Sequence, residues 1–418
     1  MKDQILAAAA SPRALEALYR ASPKDFAQAF PEAFAANPGA PVLQAWNERL
    51  FFVATPNAES SRWRGRDIGL VVALALVAGT LMKLPHFFHG IDEEWFYARN
   101  LCGIVAAMLI AYFCFQRPAR PRALRALLAF GLGTVVFLNL LPDRSDSQTI
   151  LLATMHAPFF LWSLLGVAFL GGAWKNLPGR MDFIRYNGEL AIYSTMILIG
   201  GMILTGLTLA LFSLIHVSIE EWYLQNVVVY GSVAAPLVAT LLVDRIVGSR
   251  FKIAPLLAKL FLPLFLVTVV AYLAAMLMQQ KNPFTDRDFL IAFNGLLLAV
   301  LGLCVFSISE RGPKEAPGAV DFMNIALVAV TLLIDVVALS AILFRLTSYG
   351  FTPNRLAVLG GNLLAFGHLA GILFRYLRFT RRKAPFEALE TWIVGYIPAY
   401  TAWSLIVSFA FPLALRFK

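Results

Sequence analysis

Residues 320 to 344 read VDFMNIALVAVTLLIDVVALSAILF, a run with two aspartates and no lysine, arginine or glutamate. About 20 such residues in a helix cross a hydrocarbon core of ~30 Å. Ten further apolar blocks accompany it, near 68–84, 100–116, 123–141, 148–172, 190–215, 226–243, 254–278, 289–308, 353–374 and 389–413. The expected fold is therefore an all-α polytopic membrane helix bundle of about eleven transmembrane helices, over 67–418. A small helical head, 1–66, precedes it.

Composition excludes a soluble globule. Hydrophobic residues make up 59% of 418 positions and charged residues 14%, against about 25% charged in soluble domains. Cys102, Cys114 and Cys304 all lie inside apolar blocks with no CxxC pair, so they read as small buried hydrophobes rather than as disulfide or zinc ligands. The net charge of +10 does not imply nucleic acid, because most of the basic residues sit beside the ends of apolar blocks, where they set topology.

The head carries Pro12, Pro23, Pro31, Pro38, Pro41 and Pro56 among alanines and charges. Ser11 before Pro12 and Ser22 before Pro23 each set a side-chain acceptor at an N-cap and a proline at N1. Two or three short amphipathic helices follow, one with Leu15, Leu18 and Tyr19 on its apolar face and another with Phe26, Phe30 and Phe34. Lys2 and Asp3 beside a short apolar run do not make a secretory signal.

Alternate connections differ sharply in charge. Of 35 lysines and arginines, 21 fall in the set containing Arg66, Arg117 to Arg125, Lys175 to Arg185, Arg245 to Lys259, Arg311 and Arg375 to Lys383; nine fall in the opposite set and five in the head. The positive-inside rule then places the head in the cytosol and, after eleven crossings, the C-terminus on the outer face of the membrane. The outer connections, such as DEEWFY at 92–97 and IEEWY at 219–223, are acidic and aromatic instead.

Several segments resemble the bacterial membrane-protein family named domain of unknown function 4153. They are EEWFYARN (93–100), SDSQTILLATMHAPFFLWSLLG (145–166), MDFIRYNGEL (181–190), DRDFLIAFNGLLL (286–298) and RLTSYGFTPNRL (345–356). The resemblance implies a multi-pass inner-membrane protein and supplies no catalytic residue.

Polar groups inside the blocks are the candidates for function. At 1.5 Å per residue, His156, Asp335 and Asn362 lie about 12, 14 and 14 Å below the outer ends of their blocks. An aspartate at that depth costs on the order of 2.5–3.5 kcal/mol on insertion scales, so it faces the bundle interior and is paired or protonated. His156 is the expected partner, and the three residues would form the centre of a secondary transporter or permease of a small solute. The bland alternative is a structural buried pair.

Outside the membrane, His86, His89, Asp92, Glu93 and Glu94 form HxxHGIDEE, and His216, Glu220 and Glu221 lie on another outer connection. Such a cluster suits a divalent ion, but the pattern is not HExxH, and a solvated acidic rim with no metal is the expectation. An embedded enzyme using this His/Glu site ranks third, behind the transporter and a scaffold or sensor whose head recruits a cytosolic protein. In YGFTPNR (349–355), Arg345 and Arg355 flank the turn, either to hold an anionic headgroup or substrate or, as the blander alternative, to lock a rigid hairpin to neighbouring acids. Gly367-x-x-x-Gly371 permits close helix approach. Gly200, Gly201, Gly206, Gly360 and Gly361 are further packing candidates. The prolines at 158, 236, 263 and 398 would free backbone carbonyls at kinks. No Walker loop, dinucleotide fingerprint or GxSxG elbow is present, so no cofactor is expected. The bilayer is the expected partner.

Overall fold

The computed structural model describes residues 1–51, 65–88, 90–117, 119–144, 146–214, 216–246, 253–278, 284, 287–312 and 316–417. Met1–Trp63 and Arg64–Lys418 form two separate compact units.

The first unit contains four helices, α1 (Lys2–Ala7), α2 (Pro12–Ala21), α3 (Pro23–Ala36) and α4 (Pro41–Phe51). Helix α3 sits among the other three. Its Phe26 and Phe30 are fully buried with Ile5, Leu15, Ala33, Leu43 and Trp46, which closes one small apolar core. Ser11 caps α2, its Oγ accepting from the Ala14 N–H at 3.3 Å. Ser22 does not cap α3 through its side chain. Its own N–H closes α2 onto the Leu18 carbonyl, and Pro23 at N1 supplies the helix start instead. Glu16 accepts from both Arg20 and Arg49. Those guanidiniums, Arg20 first, hold its carboxyl below the ordinary 4.5.

The second unit is a bundle. Its helices are α5 (Gly65–Met82), the short α6 (Leu84–Phe87), α7 (Glu93–Gln116), α8 (Pro121–Leu140), α9 (Gln148–Phe169) and α10 (Leu177–Leu214). They are followed by α11 (Glu220–Tyr223), α12 (Val229–Ile246), α13 (Ile253–Met278), α14 (Arg287–Ser309), α15 (Ala319–Tyr349) and α16 (Pro353–Thr380). The last span is built from α17 (Glu387–Gly395), α18 (Ile397–Leu405) and α19 (Phe411–Ala414). A π-helical turn at Leu224–Val228 joins α11 to α12, and another at Ile406–Ala410 joins α18 to α19.

Ten helices among the described residues are long and apolar enough to cross a membrane, and α13 adds the shorter apolar stretch Leu257–Ala271. Leu140, Ile203 and Leu333 are 77%, 68% and 68% exposed. So much outward apolar surface is stable only in lipid. The chain is an all-α, multi-pass integral membrane protein.

Polar side chains hold the bundle where backbone groups lose their partners. Pro398 has no N–H, so the carbonyl four residues earlier, on Val394, loses its helical donor; Arg180 Nη1 fills the gap at 3.1 Å. Arg99 donates to the Leu138, Leu141 and Pro142 carbonyls at 2.8, 2.7 and 3.1 Å, which satisfies acceptors at the open end of α8. Asn100 and Asn139 exchange amide hydrogen bonds at 3.0 and 2.8 Å between α7 and α8.

Three glycines of α16, Gly360, Gly367 and Gly371, are covered by rings from the last span in one antiparallel register. A Cβ at Gly360 would overlap the Trp403 ring, one at Gly367 would lie 2.8 Å from the Tyr396 hydroxyl, and one at Gly371 would overlap Trp392. The glycines step by seven and then four residues, and the rings step back by the same amounts. By contrast, a Cβ on Gly200, Gly201, Gly206 or Gly361 would meet nothing within 4 Å, so these four do not mediate close packing within the bundle. Of the cysteines only Cys304 is buried; Cys102 is exposed and Cys114 intermediate, both on α7.

Candidate functional site

Two features of the bundle have chemical potential, a buried carboxyl on α15 and a cavity at the end of the bundle where α15 turns into α16. Helix α15 packs against α13, α14 and α16. Leu333 points outward, whereas Asp335, two residues on, is 1% exposed. Neither Asp335 oxygen has a hydrogen-bond partner. The expectation that this aspartate faces the interior holds; the pairing with His156 does not. His156 Nδ1 lies 2.9 Å from the carbonyl of Leu152 on its own helix, and Asn362 donates to Asn294 Oδ1 at 2.8 Å.

The matched depth also changes once helix ends replace apolar-block ends. Helix α15 runs on to Tyr349, so Asp335 lies about 21 Å from its end, against about 12 Å for His156 and about 14 Å for Asn362. The ionisable residue at the level of Asp335 is His368, about 22 Å along α16 from Pro353. It is buried, accepts or donates at Nδ1 to the Tyr400 hydroxyl at 3.0 Å, and stacks on Tyr396 with centroids 4.6 Å apart. Its Nε2 has no partner. His368 is not among the residues singled out from the sequence, although an imidazole between Gly367 and Gly371 in an apolar block carries the same signal as Asp335.

The cavity encloses about 500 Å³, a volume within the usual range for small-molecule sites. Helices α9 and α14 flank it, each packed on α16. Leu151, Leu152 and Met155 come from α9, Leu290, Ile291 and Asn294 from α14, Ile342 and Arg345 from α15, and Arg355 and Val358 from α16. Thr352 caps α16 through the Arg355 N–H at 3.3 Å. Arg355 Nη1 ties down the hairpin through the Tyr349 and Gly350 carbonyls at 2.9 and 2.6 Å, and Gly350 takes the φ of +80° that an L side chain rarely adopts. Among the described residues no acidic side chain lines the cavity. The turn is thus locked by carbonyls rather than by neighbouring acids. Asn362 lies outside this lining but bonds to Asn294 within it.

The opposite end of the bundle is held by ion pairs. Arg311 Nε and Asp321 Oδ1 are 2.9 Å apart, Arg185 and Glu390 3.0 Å, and Arg117 and Asp244 3.5 Å. Each pair joins two different helices or their ends.

The described members of the outer histidine and acid cluster do not converge on one point. His86, Glu93 and Glu94 are exposed, and Asp92 Oδ1 is used to cap α7 through the Trp95 N–H at 2.7 Å. Glu93 and Glu94 occupy the first turn of α7, where acids complement the helix dipole. His89 lies outside the described residues. Among the described residues no group of three or more His, Cys, Asp or Glu side chains is placed to hold a metal ion.

No family model matches this chain, no curated protein matches it, and no solved structure matches it.

Proposed function

We propose that this chain is a secondary transporter or permease of a small solute in a bacterial inner membrane, with its head in the cytosol and its C-terminus in the periplasm. The resemblance to domain of unknown function 4153 belongs to the same proposal. The observation that carries it is Asp335, a carboxyl buried in the bundle with no hydrogen-bond partner. A structural aspartate in lipid is normally paired, because an unpartnered buried charge costs several kcal/mol (roughly) more than a bonded one. Leaving it unpartnered suits a site that takes up and gives back a proton. His368 replaces His156 as its companion at the same level.

The test is proton movement in proteoliposomes loaded with a pH dye and challenged with a panel of sugars, amino acids and organic acids. At least one solute is expected to drive proton flux, and Asp335→Asn to reduce it to background. Undiminished flux in Asp335→Asn would remove the basis of the proposal.

A second reading is favoured by one observation: Met1–Trp63 is a compact unit with a core of its own. Such a head suits a scaffold or sensor that recruits a cytosolic protein. On this reading, deleting residues 1 to 60 abolishes the capture of a partner from cytosol. An unchanged set of partners counts against it.

A further inference from the structure

Arg345 is the group in the cavity that the permease reading leaves unused. Its guanidinium Nη1 is enclosed yet has no hydrogen-bond partner. A buried donor left unmade costs about 1–3 kcal/mol, more when charged, so such a group is kept where an acceptor arrives from outside. Arg355 stands in the same lining, its Nη1 already committed to the hairpin carbonyls. Among the described residues the lining holds these two guanidiniums and no carboxylate, so the charge that these residues bring to the cavity is positive.

The walls select what the anion is attached to. Leu151, Met155 and Ile291 line the cavity and are also among the exposed apolar residues of the bundle surface. They lie on α9 and α14, the two helices that flank the cleft, so the apolar walls continue onto the surface that faces lipid. A free inorganic ion would leave these walls wet. An amphiphile would set its headgroup at Arg345 and run its chain out along them.

We propose that this cleft is a binding site for an anionic phospholipid drawn from the bilayer, its phosphate accepting from Arg345 and its acyl chain lying between α9 and α14. Asn294, within the cleft, supplies a further polar contact for the glycerol region. The inference does not depend on transport.

The test is native mass spectrometry of the full chain released from detergent with equal amounts of phosphatidylglycerol and phosphatidylcholine. Phosphatidylglycerol is expected to be retained in preference, and Arg345→Gln to weaken that preference roughly ten-fold or more. Met155→Trp, which fills the cleft from the opposite wall and leaves both arginines in place, is expected to lower the occupancy of phosphatidylglycerol in a protein that still elutes as a single species. Equal retention of the two lipids, or a preference unchanged in both variants, would overturn the site. Displacement of the lipid by an equal concentration of inorganic phosphate would overturn it too, because the apolar walls would then contribute nothing.

Discussion

Gly360→Leu is expected to destabilise the bundle severely, while Gly361→Leu, one residue along, leaves its melting temperature in detergent unchanged. A Cβ at Gly360 already overlaps the Trp403 ring, whereas one at Gly361 meets nothing within 4 Å. Leucine adds three further carbons at each position. At Gly360 they must displace the indole that α18 itself lays against α16, and overpacking of this kind costs about 1–3 kcal/mol and at times more. At Gly361 the added carbons extend into open space. Differential scanning fluorimetry on both variants decides the matter, and equal losses, or none in either, would show that the rings do not rest on these glycines as described.

Asp321→Ala is the second large effect. Asp321 accepts from Arg311 Nε at 2.9 Å, from the Tyr376 hydroxyl at 2.9 Å and from the Gly318 N–H at 2.8 Å. The side chains of Arg311 and Asp321 are only 7% and 4% exposed, and Arg311 lies over the rings of Phe379 and Phe386 at 4.7 and 4.5 Å. Removing the carboxylate takes away the acceptor of Arg311 Nε and of the Tyr376 hydroxyl in a desolvated, ring-lined site, and breaking such a buried pair costs about 3–5 kcal/mol. Replacing both partners by apolar residues, as in Arg311→Met with Asp321→Leu, is expected to recover most of the loss, since a buried pair offers little net gain over good packing. The observable is again thermal unfolding in detergent. If Asp321→Ala melts like the parent protein, the ion pair does not hold this end of the bundle.

The class of fold was legible because hydropathy is a property of each residue and needs no partner. A run such as 320–344 identifies a span without knowledge of what packs on it. The ends of helices were less legible. Lipid-crossing length and helix length are different quantities, and α10 begins at Leu177, well before its apolar block, with Arg180 and Arg185 satisfied by carbonyls and carboxylates that only the folded bundle provides. The same gap undid the matched depth of His156, Asp335 and Asn362. Contacts across the bundle were the least legible of all. Nothing in the string AFGHLAG tells which aromatic ring fills which glycine, and the rescue of the Val394 carbonyl by Arg180 joins residues far apart in the chain. His368 could have been found, because an ionisable side chain in an apolar run is a signal in its own right.

The seven-and-four spacing shared by α16 and the last span also restricts how this protein can move. A slide of one helical turn keeps the same faces together but would carry Trp403 from Gly360 onto Leu364. A slide of one turn the other way would bring Trp403 against Leu356 and Tyr396 against Leu363. Every such shift is blocked by a side chain, so the two helices travel as one beam. Any rearrangement of the bundle must pivot about that beam and not along it.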